Sequence, residues 1–461
     1  MPMKTTHRAI ADLRADPPQR ANTRGKGGFS NAASPTQTAG GLLQEGSFVD
    51  LVLPLGSERL KFVHSSDAHF SKANDEIKVG VEKYVPIKLD GSWLRAIRFP
   101  QRVGAARQTS ELFARVSAFF KTGITFEPEA AELITAFVFS TWFADILDVV
   151  PSLWVVAPDA TDRWVLLRLL SAVCRRALLL AGCTPSTLVA IPSELKPTLL
   201  FEATRERSFA RMLAITARRG FYVPRSGRAL DNSFAVAVVS EDWPGAGTPL
   251  LKIAVPPGSA QPLAGNTDTL ENASAELQAD LLRYRIDHYR IAREATPKPQ
   301  PFTSQVQLLA TSLTACVDDA GLREKIIKAL QPEDEQIRAE RATDIHTIAV
   351  EALLVACHER KPSIGVGELA ELANAILAGR GELPRFTPRG FGEMLRSLGF
   401  KEQRRTNQCW ILTIDSAARA RIHRLGRNYN AESAPQPGCP ECAGDSSPDG
   451  ALRARRLLKS N

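Results

Sequence analysis

The residues from Ala157 to Trp164 (APDATDRW) occupy the register of a phosphate-binding loop, between an apolar run that reads as a strand (LWVV) and a helical pattern from Arg163 to Arg176. A loop of the form G-x-x-x-x-G-K-[ST] in that frame cradles phosphates. Its glycines let successive backbone N–H groups converge on an anion, its Lys reaches the terminal phosphates, and its hydroxyl holds Mg²⁺. Here the loop has no glycine. Arg163 stands at the Lys position with a planar fork rather than a compact charge. Trp164 stands at the hydroxyl position, offers no oxygen to a metal and is too large for the slot. Asp159 and Asp162 would face the anion. At about 4 Å each unit-charge repulsion is about 4 kcal/mol at an effective dielectric of 20, against about 0.3–1 kcal/mol of attraction from a helix N-terminus. Either Thr161 or Asp162 could instead cap the helix with its own oxygen. Lys196–Ala203 (KPTLLFEA) is a short apolar strand ending in Glu202, placed to hold a metal. The following position, where a water-activating acid would stand, is Ala203. Asp162, Arg163, Trp164 and Glu202 are therefore the degenerate nucleotide-site positions. No catalytic residue is assigned and no cofactor is expected, neither ATP nor Mg²⁺.

A second constellation lies near the C-terminus. Thr387-Pro388 opens a helix, PRGFGEMLRSLGF, with Thr as N-cap and Pro at the first helical position. Two helices precede it and the alternating run QCWILTI follows. Three helices and a short β-ribbon make a winged helix. From Thr387 to Asn430 there are nine basic residues and three acidic ones. Arg389 and Arg396 are seven residues apart and share one helix face, suited to a DNA major groove. Lys401, Arg404, Arg405 and Asn407 form the wing tip, suited to the backbone. Beyond them, Cys439 and Cys442 form one C-x-x-C pair, half of a zinc site. His64, Asp67 and His69 (HSSDAH) have loose metal-ligand spacing, and a polar turn accounts for them.

The chain resembles P-loop ATPase or helicase-like proteins of bacterial mobile elements and prophages, often found behind a primase domain. The resemblance runs from about Thr109 to Tyr429. It rests on FVFSTWFADIL, LWVVAPDATDRWVLLRLLSAVCRRALLL, LKPTLLFEA, ITARRGFYVPRSGRALDNSFAVAVVS, FTPRGFGEMLRSLGF and ARARIHRLGRNY. It implies a nucleotide-binding fold and a replication setting. This chain departs from the family pattern at Ala157–Trp164, at Glu202-Ala203, and at Thr248-Pro249-Leu250, where members carry an arginine. Partnership with an active ATPase relative is an implied option.

These residues need elements to position them. Apolar runs at Phe234–Val239 and Leu250–Val255 alternate with helical patterns, as a parallel sheet requires. The expected fold is α/β: a P-loop NTPase-like parallel-sheet core with a helical lid and a C-terminal winged helix, preceded by a small β-rich segment. Residues 1–43 read as a disordered basic arm and 44–105 as the β-rich segment, with Asp90-Gly91 as a hairpin turn. Residues 106–258 read as the core with its N-terminal helices, 256–266 as a linker, 267–342 as the lid, 343–430 as the winged helix and 431–461 as a disordered tail. Within the core, Arg218, Arg219, Arg225 and Arg228 form a basic loop that could meet phosphates.

The chain has 461 residues, enough for several domains, and a net charge of +8, which permits nucleic-acid contact. Seven scattered cysteines fit a reducing cytoplasm, not a disulfide scaffold. The start has no apolar core and is not read as a secretory signal. The longest apolar stretch, Leu133–Ala157, contains Asp145, Asp148 and Pro151, so no membrane span is expected. The expected function is a catalytically inactive ATPase-like protein that binds double-stranded DNA through the winged helix, in mobile-element or prophage replication or its regulation. The alternatives are a weakly active ATP-dependent helicase or ATPase and a protein-interaction scaffold that binds no nucleic acid.

Overall fold

The computed structural model describes residues 35–43, 46–66, 69–70, 73–184, 188, 190–203, 217–220, 222–225, 228–231, 233–242, 250–261, 267–296, 300–342, 344–400, 403–405, 410–429, 431 and 439–443. Its centre is a parallel sheet of β8 (Ser152–Val156), β9 (Ala177–Leu180), β10 (Thr198–Glu202), β13 (Ala235–Ser240) and β14 (Leu250–Ala254), in the spatial order β14-β8-β13-β10-β9. The architecture is α/β and consistent with a P-loop-like core. Between β10 and β13 the chain makes an antiparallel hairpin, β11 (Tyr222–Arg225) and β12 (Arg228–Asp231).

Strands this apolar are covered on both faces, and alternation sorts their side chains into two cores. Leu153, Val155, Leu200, Ala237 and Val239 face one side. There they meet helices α2 (Thr109–Lys121), α3 (Pro128–Thr141), α4 (Ala160–Val173) and α5 (Thr267–Glu294). Trp154, Leu199, Phe201, Val236 and Val238 face the other side, against the N-terminal strands. These are β1 (Thr36–Thr38) to β7 (Glu82–Pro86), arranged as one sheet containing β3 (Phe48–Val52) and β4 (Lys61–Ser66) and another containing β1, β6 (Ile77–Val79) and β7. Phe137, Phe139, Trp142 and Phe143 are fully buried between the helices and the sheet.

Several expectations are corrected. Residues 36–38 and 41–42 are strands, not part of a disordered arm. Asp90-Gly91 is not a hairpin turn: the Asp90 carboxylate accepts from Ser92 N at 2.6 Å and caps α1 (Gly91–Ala96). A tight hairpin just before it joins β6 to β7 through Gly80, whose φ of +57° suits glycine. Residues 256–261 are not a free linker. Thr125 N donates to Ser259 O and Gln261 N to Gly123 O, which fastens this stretch to the turn before α3.

The core's α5 is a 28-residue helix followed by α6 (Ser304–Ala315) and α7 (Ala320–Ala342). One buried ion network joins three parts of the molecule. The carboxylate of Asp50 on β3 meets Arg176 at 2.6 Å and Arg175 at 3.2 Å, just after α4, and Arg285 of α5 at 2.6 Å. Arg285 also pairs with Asp145 at 2.7 Å. Burial alone pushes both carboxyls up, and the guanidinium groups around them outweigh it, so both stay well below the usual carboxylate range. No described helix is long and apolar enough to cross a membrane.

The C-terminal module has its own apolar core. Its elements are α8 (Ile345–His358), β15 (Ser363–Gly365), α9 (Val366–Gly379), α10 (Pro388–Ser397), β16 (Gln403–Arg405), β17 (Trp410–Thr413) and α11 (Ser416–Tyr429), with β15-β17-β16 forming an antiparallel sheet. A short helical turn, α12 (Pro440–Ala443), follows in what reads by sequence as a disordered tail.

Candidate functional site

In open parallel sheets, ligands bind beyond the carboxyl ends of strands, where neighbouring connections leave in opposite directions. In this sheet that place lies between β8 and β13. The chain leaving β8 runs past β13 to β9, and the chain leaving β13 runs back past β8 to β14. The β8–α4 loop, Glu202 at the end of β10 and Glu241 after β13 converge there through Arg163.

Arg163 is buried. Its Nε donates to Glu202 Oε1 at 2.7 Å. Its Nη1 donates to the carbonyls of Ala157 at 2.9 Å and Pro158 at 2.7 Å, and its Nη2 lies 3.5 Å from Glu241. The guanidinium thus folds back onto its own loop and ties that loop to two neighbouring strand ends.

The start of α4 is closed from within. Asp159 is the N-cap; its Oδ1 accepts from Thr161 N at 2.6 Å and from Asp162 N at 3.4 Å. This corrects the expected cap, which is neither Thr161 nor Asp162. The N–H of Thr161 holds the Asp159 carboxyl below its ordinary value. A carboxylate from the chain therefore sits on the donors that would meet a phosphate. Asp162 does not face that spot. It is buried, and its two oxygens accept from Gly258 N at 2.9 Å and Ala260 N at 2.5 Å in the turn after β14.

Trp164, which stands at the hydroxyl position by sequence, does not enter the slot. It is 57% exposed on the outer side of α4, with the Arg168 guanidinium 5.8 Å from its ring centre. The group filling the strand ends is the Arg163 side chain. The structure thus brings Arg163 and Glu202 together and leaves Asp162 and Trp164 apart from them. Sequence reasoning missed Glu241. The signal for it was an acid directly after an apolar strand, in AVAVVSE, because parallel strands deliver their carboxyl ends to one edge.

The basic loop before β13 is partly described. Arg219 N donates to Asp148 O at 3.0 Å and anchors the base of the β11–β12 hairpin. The side chains of Arg225 and Arg228 lie outside the described residues.

In the C-terminal module, Thr387 caps α10 by accepting from Gly390 N at 3.2 Å. The loop before it is pinned by Asn374, whose Oδ1 accepts from Arg385 N and Phe386 N and whose Nδ2 donates to Phe386 O. Phe391 and Leu395 bury one face of α10. Arg389 and Arg396 are exposed. The Arg389 side chain is 92% accessible, with Glu393 3.5 Å away on the same helix. Arg404 and Arg405 are on β16, in register with Ile411 and Trp410. Their side chains lie outside the described residues, as do Lys401 and Asn407. Arg424 and Arg427 are exposed on α11, while Arg421 is turned inward, donating to Gly399 O and lying over the Phe400 ring.

Cys439 and Cys442 stand against His358 and His423, forming the one group of potential metal ligands among the described residues. His64 lies on β4 outside any such group; Asp67 and the side chain of His69 lie outside the described residues.

No family model matches the chain, and no curated protein matches it in sequence. Among solved structures it is similar to the NrS-1 C-terminal region (CTR, 305–718, A form, apo) at 9% identity, over 80% of this chain and 96% of that one, with a TM-score of 0.33. It is also similar to Cdc6p from Pyrobaculum aerophilum at 13% identity, over 67% of this chain and 96% of that one, with a TM-score of 0.17.

Proposed function

We propose that this chain is a catalytically inactive ATPase-like protein that holds double-stranded DNA through its C-terminal module, and that it serves DNA replication of a mobile element or prophage, or its regulation. The observation that carries the first half is Arg163. Its guanidinium donates to the carbonyls of its own loop and to Glu202, while Asp159 takes the helix N-terminal N–H groups. A triphosphate would have to displace both and would meet three carboxylates, Asp159, Glu202 and Glu241.

The order α8-β15-α9-α10-β16-β17 supports reading the module as a winged helix, with α10 as the recognition helix. Arg389 and Arg396 are exposed together on one flank of α10, next to its buried face, and the β16–β17 ribbon carries Arg404 and Arg405. Partnership with an active ATPase relative would give the silent core a role in assembly. The resemblance of the motifs, not the geometry, supplies the replication setting.

Calorimetry with ATP and Mg²⁺, together with duplex-DNA binding measured over a salt series, tests this. The expected result is no nucleotide heat and DNA binding that weakens steeply with salt. Tight ATP capture, with turnover abolished by Glu202→Gln, would overturn it in favour of a weakly active ATPase. DNA binding absent at low salt would favour a protein-interaction scaffold.

A further inference from the structure

We propose that His358, His423, Cys439 and Cys442 form a structural zinc site that fastens the segment after α11 onto the C-terminal module. The four ligand atoms lie within 4.8 Å of one another. The Sγ of Cys439 is 3.4 Å from His423 Nε2, and the Sγ of Cys442 is 3.4 Å from His358 Nε2. Zinc–sulfur bonds of about 2.3 Å and zinc–nitrogen bonds of about 2.0–2.1 Å set the edges of a tetrahedron at about 3.3–3.8 Å. The two sulfur–nitrogen approaches already match such edges, and closing the widest one needs movement of about 1 Å at side-chain ends.

The backbone explains why these residues meet. Helices α8 and α11 touch at Leu354 and Gly426, where an added Cβ on the glycine would lie 2.9 Å from Leu354 Cδ1. One turn along from that close approach, His358 ends α8 and His423 faces inward from α11, with ring centres 5.2 Å apart. Cys439 precedes the helical turn opened by Pro440 and Cys442 lies within it, three residues on, so both sulfurs present to one side. Two thiolates and two imidazoles suit zinc. Magnesium and calcium want oxygen ligands. Binding releases the two thiol protons to solvent.

Cys357 adds a complication that the test must accommodate. It is buried, and its Sγ lies 3.7 Å from His423 Nε2. It is near enough to replace a lost cysteine, so a single Cys→Ser change is a weak probe.

The test is metal analysis of the full chain purified under reducing conditions. One zinc per chain is expected, retained in Cys183→Ser, whose thiol lies outside the cluster, and lost in the double variant Cys439→Ser/Cys442→Ser. Should the double variant not fold, cobalt(II) exchange into the unsubstituted chain reads the same site. A tetrahedral spectrum with sulfur-to-metal charge transfer from two thiolates supports the proposal, and removal of the metal should open residues 439–443 to protease. A folded chain with zinc far short of one per molecule and no tetrahedral cobalt spectrum overturns it, leaving the thiol–imidazole approaches as hydrogen bonds. Zinc retained by a folded double variant overturns it equally.

Discussion

Arg163 Nε lies 2.7 Å from Glu202 Oε1, a bond from the start of α4 to the end of β10. With the same guanidinium on the Ala157 and Pro158 carbonyls, this contact makes the phosphate-loop position a self-contained piece of protein. Arg163→Ala leaves those carbonyls without their donor and a buried space unfilled, so the core should lose about 1–3 kcal/mol. Glu202→Gln keeps an acceptor at a half-exposed position and should change stability by less than about 0.5 kcal/mol. Urea unfolding followed by near-ultraviolet circular dichroism compares them. Equal midpoints for Arg163→Ala and the unsubstituted chain would refute this account of the loop.

Arg389→Ala and Arg396→Ala should each weaken duplex binding across sequences. If each side chain contacts one phosphate, each variant should flatten the slope of log affinity against log salt by about one unit. A base contact would instead relax sequence preference at one position. Lys83→Ala, which removes an exposed charge on β7 paired with Glu76, serves as the control. Fluorescence anisotropy at several salt concentrations reads all three. Identical slopes for the three proteins would exclude α10 as the DNA contact.

The Asp50 network gives stability a defined acid dependence. A carboxyl held low in the folded state contributes stability that is fully present above its unfolded value, near 3.9, and is lost as pH falls toward the folded value. This contribution should therefore be flat from pH 7 to about 5 and decline below about 4. Asp50→Asn leaves three buried guanidinium groups with one fewer counter-charge and should cost about 3–5 kcal/mol at neutral pH. It should also remove part of the acid slope. Denaturant midpoints at several pH values measure both effects.

Gly104 is required by close approach. Its N donates to Ala279 O at 2.9 Å, and a Cβ there would lie 2.6 Å from the Ala279 carbonyl carbon. Gly104→Ala must push the chain off α5 and should cost about 1–3 kcal/mol. Gly182→Ala, where an added Cβ meets nothing within 4 Å, should be neutral by comparison. Thermal unfolding of the two variants checks the contrast.

The sequence made long-period features legible and left side-chain convergence hidden. The apolar strands β8, β10, β13 and β14 and the helices of the C-terminal module follow from runs and caps that are local. Thr387 capping α10 is such a case. Asp90-Gly91 failed because Asp and Gly serve a helix start as well as a hairpin, and only the residues after them, SWLRA, decide. The cap of α4 falls to Asp159 because its carboxylate reaches the N–H of Thr161, two residues on, while Asp162 is held by the donors of Gly258 and Ala260, nearly a hundred positions away. Trp164 faces outward because it follows Arg163 on the helix, rotated about 100° from the side chain that fills the strand ends. His358 and His423 carried no spacing signal toward Cys439 and Cys442, since helix packing at Leu354 and Gly426 sets their distance.

Asp50 comes from the N-terminal strands, Arg175 and Arg176 from the turn between α4 and β9, and Arg285 from the long helix α5, yet they share one dry enclosure. Trimming the molecule to its parallel sheet and helices would discard Asp50 and leave Asp145 as the network's one carboxylate against three buried guanidinium groups. A fragment beginning near residue 100 should therefore swell or precipitate, and the first strands are better regarded as the missing wall of the central body than as an appendage to it.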